Sequence, residues 1–416
     1  MAKLAVPEKL NILLTAFNFP ILGRASDQGF LWPLAKGLAE NGHKVTVIAA
    51  KSPLGKAEVL RDHVRVFYLH EGFPNLSHLP FKEAVFEKFQ ELQKTEAFHI
   101  VHSIDDSAYQ IALHKNKYNL PVAYDVQATE ISQIFNILGM SQETVRSQIS
   151  TAISVTYTFL KTYLGKDRRI LNSANGIFVT SPQQRTALER YYLYPDFHTY
   201  TVPYGLEIGN LTARENTSNL YQKLSLPEDS HIILTQSDMT DSRELTNIFL
   251  AFEKVAIKKP NAYLIVLGSG PLRHKIEFEL LNLALGSKVI MPGSLKAEEV
   301  SEYVDLAHVY INLNSNTTGF ESTMIEAMAQ KKVIIGSEVS SIANVVEDGI
   351  DGFLLRPADT ESLSALLLEI FSNILPVHEI GERARQKVVN IFDVKKMILA
   401  LEEAYVRILQ NSGIYK

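Results

Sequence analysis

The chain has no cysteine and a single tryptophan. Without a thiol, disulfides, thiolate metal sites and cysteine nucleophiles are excluded together, although zero cysteines fits any redox compartment. No apolar run approaches the roughly 20 residues that a membrane-spanning helix needs. The opening MAKLAVPEKLNILL lacks the length and cleavage pattern of a secretory signal, so a cytoplasmic location is expected. Low-complexity tracts and short internal repeats are lacking as well, which sets aside disordered and solenoid architectures. Charge of one sign is not concentrated either: residues 1–200 carry 21 Lys+Arg against 18 Asp+Glu, residues 201–416 carry 20 against 28, and the net charge is −5. Nucleic-acid binders gather basic side chains on one face, so no nucleic-acid partner is expected.

What is present is an ordinary globular composition, 46% hydrophobic and 21% charged over 416 residues. That length exceeds one compact core, because single domains usually run to roughly 100–200 residues. LNILLT reads as a buried strand, GFLWPLAKGLAENG as a helix stopped by glycine, and KVTVIAA as a β-branched strand, which together make a parallel βαβ unit. VRVFYL, the helix-like FKEAVFEKFQELQK, HIVHSI and PVAYDV continue it, so one parallel sheet is expected for this half. Residues 130–172 turn helical, after which GIFVT, a helix start at Ser181-Pro182 and HTYTVP restore the alternation. Beyond a polar stretch, HIILTQ, ELTNIFLAFEKVAIKK, YLIVLG, PLRHKIEFELLNLAL, KVIMPG, HVYINL, STMIEAMAQ and KVIIGS begin a second parallel sheet. The expected class is α/β, two Rossmann-like parallel-sheet domains over residues 1–205 and 229–390. A linker is expected over 206–228, and a closing helix over 391–416 that packs back towards the N-terminal domain.

Doubly wound sheets bind ligands in the loops at the carboxyl ends of their strands. Here those loops lie in LIVLGSGPLR, KVIMPGSL, TGFESTMIEAMAQKKVIIGS and VVEDGIDGFLLRPAD, in that order. The succession resembles the donor half of retaining family 4 glycosyltransferases, the glycosyl transferases group 1, whose GT-B fold sets two Rossmann-like domains about a central cleft. LAENGHKVTVI, TVPYGLE and FDVKKMILALEEAY extend the resemblance over nearly the whole chain, and its specific part runs from Gly268 to Asp359. The resemblance implies a hexosyltransferase that takes a nucleoside-diphosphate sugar on the C-terminal domain and an acceptor hydroxyl on the N-terminal one. The donor is a substrate; no separate cofactor and no metal ion are implied. UDP, GDP and ADP donors all stay open, as do lipid, glycan and small-molecule acceptors.

The residues themselves suit that chemistry. Gly268 and Gly270, followed by Pro271, allow backbone to approach a flat base or ribose where a Cβ would intrude, or they form a plain strand-to-helix turn. In the family this loop and the one at Gly293-Ser294-Leu295 flank the base. A helix starting near Ser322 or Thr323 would aim free N–H groups and a positive dipole end at a diphosphate. Glu326, just inside it, matches the glutamate that grips the ribose hydroxyls; Thr323 and Glu326 also spell a capping box, T-x-x-E. Thr318, Gly319, Phe320 and Ser322 complete the loop that would line the sugar.

Departures from the family concentrate on charge. A second glutamate, eight residues before the first, is replaced by Thr318; Glu321 stands three residues on, either as a substitute carboxylate or as a solvated loop charge. The arginine and lysine that neutralise the diphosphate map, counting back from Ala251-Phe252, onto Asp238 and Arg243. One cation survives and the other becomes an acid. Arg273, Lys275 or Arg356 compensates only if the fold brings it near; otherwise each is a surface cation. In the N-terminal half, Gly23 is the candidate for acceptor binding, and His102 at the end of HIVHSIDD is a candidate catalytic histidine or a structural one. The run 161–169, KTYLGKDRR, reads as peripheral membrane contact or as a solvated helix face. Arg243, Glu321 and His102 are thus the catalytic candidates. A non-catalytic relative serving as an accessory subunit, motivated by Thr318 and Asp238, is the competing reading; an epimerase of the same fold is a third, disfavoured because its carboxylate and histidine set is not visible.

Overall fold

The computed structural model describes residues 5–20, 29–52, 54–70, 73, 76, 79–125, 156–157, 166–192, 196–208, 218–313, 321–338, 341–356 and 358–415. The chain divides into two compact units. The first holds the residues up to Leu206 together with those from Phe392 onward, and the second runs from Glu207 to Ile391.

Among the described residues the first unit is built on eight strands: β1 Asn11–Ala16, β2 Lys44–Ala49, β3 Glu58–Arg61, β4 Val64–Tyr68, β5 Ile100–Ser103, β6 Val122–Asp125, β7 Gly176–Val179 and β8 Thr199–Thr201. Their order is β3-β4-β2-β1-β5-β6-β7-β8. The central strands β5, β6 and β7 are buried at every position, as expected of parallel strands covered on both faces. The expectation of a wholly parallel sheet needs one correction. β3 pairs antiparallel with β4 across a tight turn at Asp62 and His63, both with positive φ. Two successive left-handed residues are the geometry of a two-residue hairpin whose twist matches that of its strands. Leu13, Phe67, Phe89, Val101, Val122 and Ile177 lie in the core on one side of this sheet.

The last helix, Val394–Asn411, belongs to this unit. Met397, Leu401, Ala404, Tyr405 and Ile408 recur at helical spacing and are buried. The seat for this helix is prepared by small residues. A Cβ on Gly37 would come within 2.7 Å of Ile398, and one on Gly176 within 2.5 Å of Ile408. At Gly205 the obstacle is backbone: a Cβ would lie 2.7 Å from the Asp393 carbonyl and the Val394 nitrogen. There Leu206 N donates to Phe392 O (2.9 Å) and Val394 N to Leu206 O (3.0 Å).

The second unit has six strands, β9 His231–Gln236, β10 Ala262–Leu267, β11 Val289–Gly293, β12 Val309–Asn312, β13 Val333–Ser337 and β14 Phe353–Leu355. All pairs are parallel, in the order β11-β10-β9-β12-β13-β14. Its core combines Ile233, Leu264, Val266 and Ile311 from the strands with Phe249, Phe252 and Leu367 from helices. Part of the expected linker is structured: Ser218–Lys223 is helical, and Leu220 and Leu226 are buried.

Because the neighbour of Gly205 is backbone rather than a flexible side chain, Gly205→Ala is expected to destabilise the first unit by about 1–3 kcal/mol. Urea unfolding monitored on the single tryptophan, Trp32, measures this; an unchanged midpoint would mean that the closing helix is not held against residue 205.

Candidate functional site

In the second unit, the chain leaves β9 for β10 on one side, whereas β12 lies against the other edge of β9. Loops leaving the carboxyl ends of β9 and β12 therefore diverge, and the gap between them is the topological switch point where open α/β sheets bind ligands. Two helices start there, Arg243–Lys258 after β9 and Ser322–Ala329 after β12. Two bonds span the gap. Thr323 Oγ1 donates to Gln236 Oε1 (2.7 Å), and Leu313 N donates to Glu244 Oε1 (2.9 Å). The first ties the helix after β12 to the end of β9; the second ties the exit of β12 to the first turn of the helix after β9.

Gly268 and Gly270 make room for backbone. A Cβ on Gly268, at φ +105°, would lie 2.0 Å from the Ser237 carbonyl oxygen, and one on Gly270 would lie 1.7 Å from that of Asp238. The glycines therefore admit the backbone of the loop after β9. Leu272 N donating to Met239 O (3.1 Å) and Gly268 N donating to Gly293 O (3.0 Å) complete the clamp. Pro271 is exposed beside it, and Leu295 is half-buried ahead of the helix Ala297–Leu306.

Ser322, Thr323 and Glu326 are all buried in the short helix Ser322–Ala329. The capping box is not formed: Glu321 occupies the N-cap without a side-chain cap bond, and Thr323 is turned to Gln236. Glu326 instead accepts a hydrogen bond from the Ser301 hydroxyl, on the neighbouring helix Ala297–Leu306. A carboxylate so enclosed persists only when hydrogen-bonded, since burying it bare is costly. Tyr310, fully buried in β12, reports the charge nearby. Burial, and then the carboxylates of Glu321, Glu244 and Glu326, push its phenol well above its usual value. Glu321 is thus electrostatically part of the switch point.

The cations separate clearly. Arg243, largely exposed at the start of its helix, gives Nε (2.8 Å) and Nη2 (2.5 Å) to Asp241 Oδ2. That two-pronged bond holds the Asp241 carboxyl below the usual carboxylate range. Asp238 is folded onto its own loop, accepting from Thr240 N (3.0 Å) and Thr240 Oγ1 (2.8 Å). Arg273 is engaged by Glu277 Oε1 (2.8 Å) and Met291 O (3.0 Å), and Arg356 by Glu338 Oε1 (2.9 Å). Lys275 reaches the loop after β9, where its Nζ donates to Ser242 Oγ (3.1 Å).

In the first unit His102, the candidate catalytic or structural histidine, lies in the interior. Its ring has no exposed surface; Nδ1 meets the Tyr405 hydroxyl at 2.7 Å, and Phe178 packs 4.6 Å away, centroid to centroid. His102 Nε2 lies 3.7 Å from Asp125 Oδ2, and the other oxygen of Asp125 accepts from the Tyr204 hydroxyl. The closing helix thus covers one side of the ring through Tyr405. At the carboxyl ends of β1 and β5, Phe17 N donates to Asp105 Oδ2 (2.6 Å) and Thr15 Oγ1 to Ser103 Oγ (2.9 Å).

Gly23, Thr318, Gly319 and Phe320 lie outside the described residues, as does the start of the basic run up to residue 165. Among the described residues no three metal-ligating side chains come together, and no helix is long and apolar enough to cross a membrane. Sequence reasoning missed Ser301, Gln236 and Tyr310, which carry no local signal. Glu244 had one: an acidic residue in a first helical turn directly after Arg243.

Comparison with known proteins covers both units. The family model described as "Glycosyl transferase 4-like domain" matches residues 30–205, and that described as "Glycosyl transferases group 1" matches residues 216–387. The N-acetyl-alpha-D-glucosaminyl L-malate synthase of Bacillus anthracis is 22% identical over 97% of this chain and 98% of its own. An uncharacterized glycosyltransferase of Methanocaldococcus jannaschii is 21% identical over 80% of this chain and 81% of its own. Among solved structures, the sucrose-phosphate synthase of Thermosynechococcus elongatus superposes with a TM-score of 0.77 at 20% identity, covering 95% of this chain and 98% of that one. An Anabaena protein solved with UDP and glucose gives 0.71 at 15% identity, over 95% and 98%.

The clamp makes a stability prediction. Gly270→Ala, and Gly268→Ala with its added backbone strain, should each cost the second unit about 2–4 kcal/mol, because carbonyl oxygens cannot step aside as a side-chain tip can. Chemical denaturation checks this, and a loss below about 0.5 kcal/mol would show that the loop after β9 moves freely.

Proposed function

Because the chain belongs to the group 1 glycosyltransferases and shares their GT-B fold, we propose that it transfers a sugar from a nucleoside diphosphate to an acceptor hydroxyl, with retention at the anomeric carbon. One observation carries the donor half of this reading. The loops at the switch point between β9 and β12 carry a buried glutamate, Glu326, and two helix N-termini, one of them headed by Arg243. A nucleoside diphosphate needs that combination: acceptors for ribose hydroxyls, and donors with positive charge for phosphate oxygens. The Anabaena neighbour was also solved with UDP-glucose, and the starch synthase neighbour from Arabidopsis thaliana with ADP and acarbose, so both nucleotides are donors to test.

In the reaction we assign, the bond from the anomeric carbon to the diphosphate oxygen breaks and its electron pair leaves with the diphosphate. The acceptor oxygen bonds to the same face of that carbon and passes its proton to the departing phosphate oxygen. Glu326 accepts from the ribose diol, with Ser301 fixing the carboxylate. Arg243 and the N–H groups at Ser322 and Thr323 neutralise the leaving charge, where losing one placed donor typically costs roughly 100-fold or more in rate. Glu321, at the head of the helix, takes hydroxyls of the sugar in place of the carboxylate absent at Thr318. The acceptor falls to the first unit.

Thermal-shift measurements with UDP-glucose, UDP-N-acetylglucosamine, GDP-mannose and ADP-glucose test the donor. Ligand at 100 times its Kd adds about 2.7 kcal/mol, or about 5–10 °C for a unit of this size; no shift with any donor sinks the reading. Glu326→Gln should weaken the binding donor about tenfold or more, whereas Thr318→Ala should change it little. NMR of the product's anomeric centre decides retention, and an inverted product would overturn it.

A further inference from the structure

Lys275 stands out among the cations of the second unit. It lies in the helix Arg273–Asn282, outside the segment where the family pattern places its phosphate-binding pair. Its Nζ donates to Ser242 Oγ (3.1 Å), and Ser242 is the N-cap residue of the helix Arg243–Lys258. The Ser242 side chain makes no cap bond to that helix. The hydroxyl best placed to cap the helix therefore meets an ammonium instead.

Of the two cations at this helix start, Arg243 is bonded to a carboxylate and Lys275 to a hydroxyl. A helix N-terminus carries partial positive charge and favours anions, at roughly 0.3–1 kcal/mol for each well-placed charge. Here Asp241 Oδ1 accepts from Arg243 N and Glu244 lies in the first turn, and Lys275 meets the cap residue without a carboxylate bonded to it. Asp241 is committed to Arg243 through both guanidinium contacts. Lys275 makes no ion pair with the described residues. By contrast, Lys254 pairs with Glu361, Arg273 with Glu277, Lys331 with Glu382 and Arg356 with Glu338.

Nor is the position accidental. The glycine clamp of Gly268 and Gly270 on Ser237 and Asp238 presses the start of the Arg273–Asn282 helix against the loop after β9, and Leu272 N donates to Met239 O (3.1 Å). Lys275 lies one turn beyond that fixed contact, on the face turned to Ser242. Meanwhile Asp238 occupies the family's arginine place and spends its carboxylate on Thr240.

We infer that Lys275 supplies, from a different helix, the diphosphate-binding charge that Asp238 removed. The inference rests on the donor reading above. In the transfer step the Lys275 ammonium acts as a hydrogen-bond donor. It donates to a diphosphate oxygen in place of Ser242 and stabilises the electron pair that the phosphate takes from the broken glycosidic bond.

Titration calorimetry with UDP, GDP and ADP, and with the nucleoside of whichever one binds, tests this. Lys275→Gln should weaken the diphosphate about ten- to a hundredfold, the worth of one charge-assisted bond, and leave the nucleoside unchanged. It should also flatten the dependence of diphosphate affinity on salt, Lys275→Arg should restore most of the binding, and Arg356→Gln should behave as the parent. The side chain is exposed, so the variants should melt with the parent when no ligand is present. Equal diphosphate affinity in parent and Lys275→Gln overturns the inference alone, as does a matching loss of nucleoside and diphosphate binding. A parent that binds none of the three diphosphates overturns the donor reading and this inference with it.

Discussion

β9 pairs in parallel with β10 along one edge and with β12 along the other, and everything at the candidate site hangs on that ladder. A parallel strand cannot turn straight back to its neighbour, so each connection must cross over through a helix. The helices after β9 and β12 consequently begin at the same edge of the sheet, with their N-termini on either side of one gap. Glu244 and Thr323 then reach across it, to Leu313 N and Gln236 respectively. The gap keeps its dimensions because both banks are bonded to the same two strands.

Packing supplies the second constraint. The loop after β9 has no helix or strand of its own to hold it. The glycine clamp holds it instead, since two missing Cβ atoms let backbone lie against backbone where any side chain would collide. The same device recurs in the first unit, where Gly205 admits the backbone at Asp393 and Gly37 and Gly176 admit the side chains of the closing helix. In both places glycine acts through absent volume. At Gly268 alone, with φ +105°, backbone conformation adds to the requirement.

Charge in the second unit follows from that geometry. An acid at position 238 is harmless because Thr240 satisfies it within the loop. An arginine at the head of a helix is tolerated because Asp241 grips it, and a glutamate sealed in the interior is tolerated because Ser301 donates to it. Asp238 and Arg243 thus each have a local partner. Lys275 is different in that its ammonium donates to a hydroxyl, Ser242 Oγ.

The strand and helix alternation was legible in the sequence because buried parallel strands are continuous apolar runs and the helices between them carry apolar residues at helical spacing. The GSGP segment, the short helix with Glu326 and their order were legible for the same local reason. The β3–β4 hairpin was missed because EVLR is too short and too polar to read as a strand, and its turn, Asp62-His63, contains no glycine. His102 read as a candidate because a strand-end histidine looks the same whether it meets solvent or core; only the arrival of Tyr405, 303 positions along the chain, encloses it. Likewise a serine at 301 and a lysine at 275 are indistinguishable from other helix-surface residues until the helices pack. By itself, then, the sequence determined which segments become strands and helices and which family they spell, since those depend on neighbours along the chain. Which carboxylate is buried, which cation stands at the helix cap and what the glycines make room for were decided by tertiary structure, because each depends on atoms brought together from distant parts of the chain.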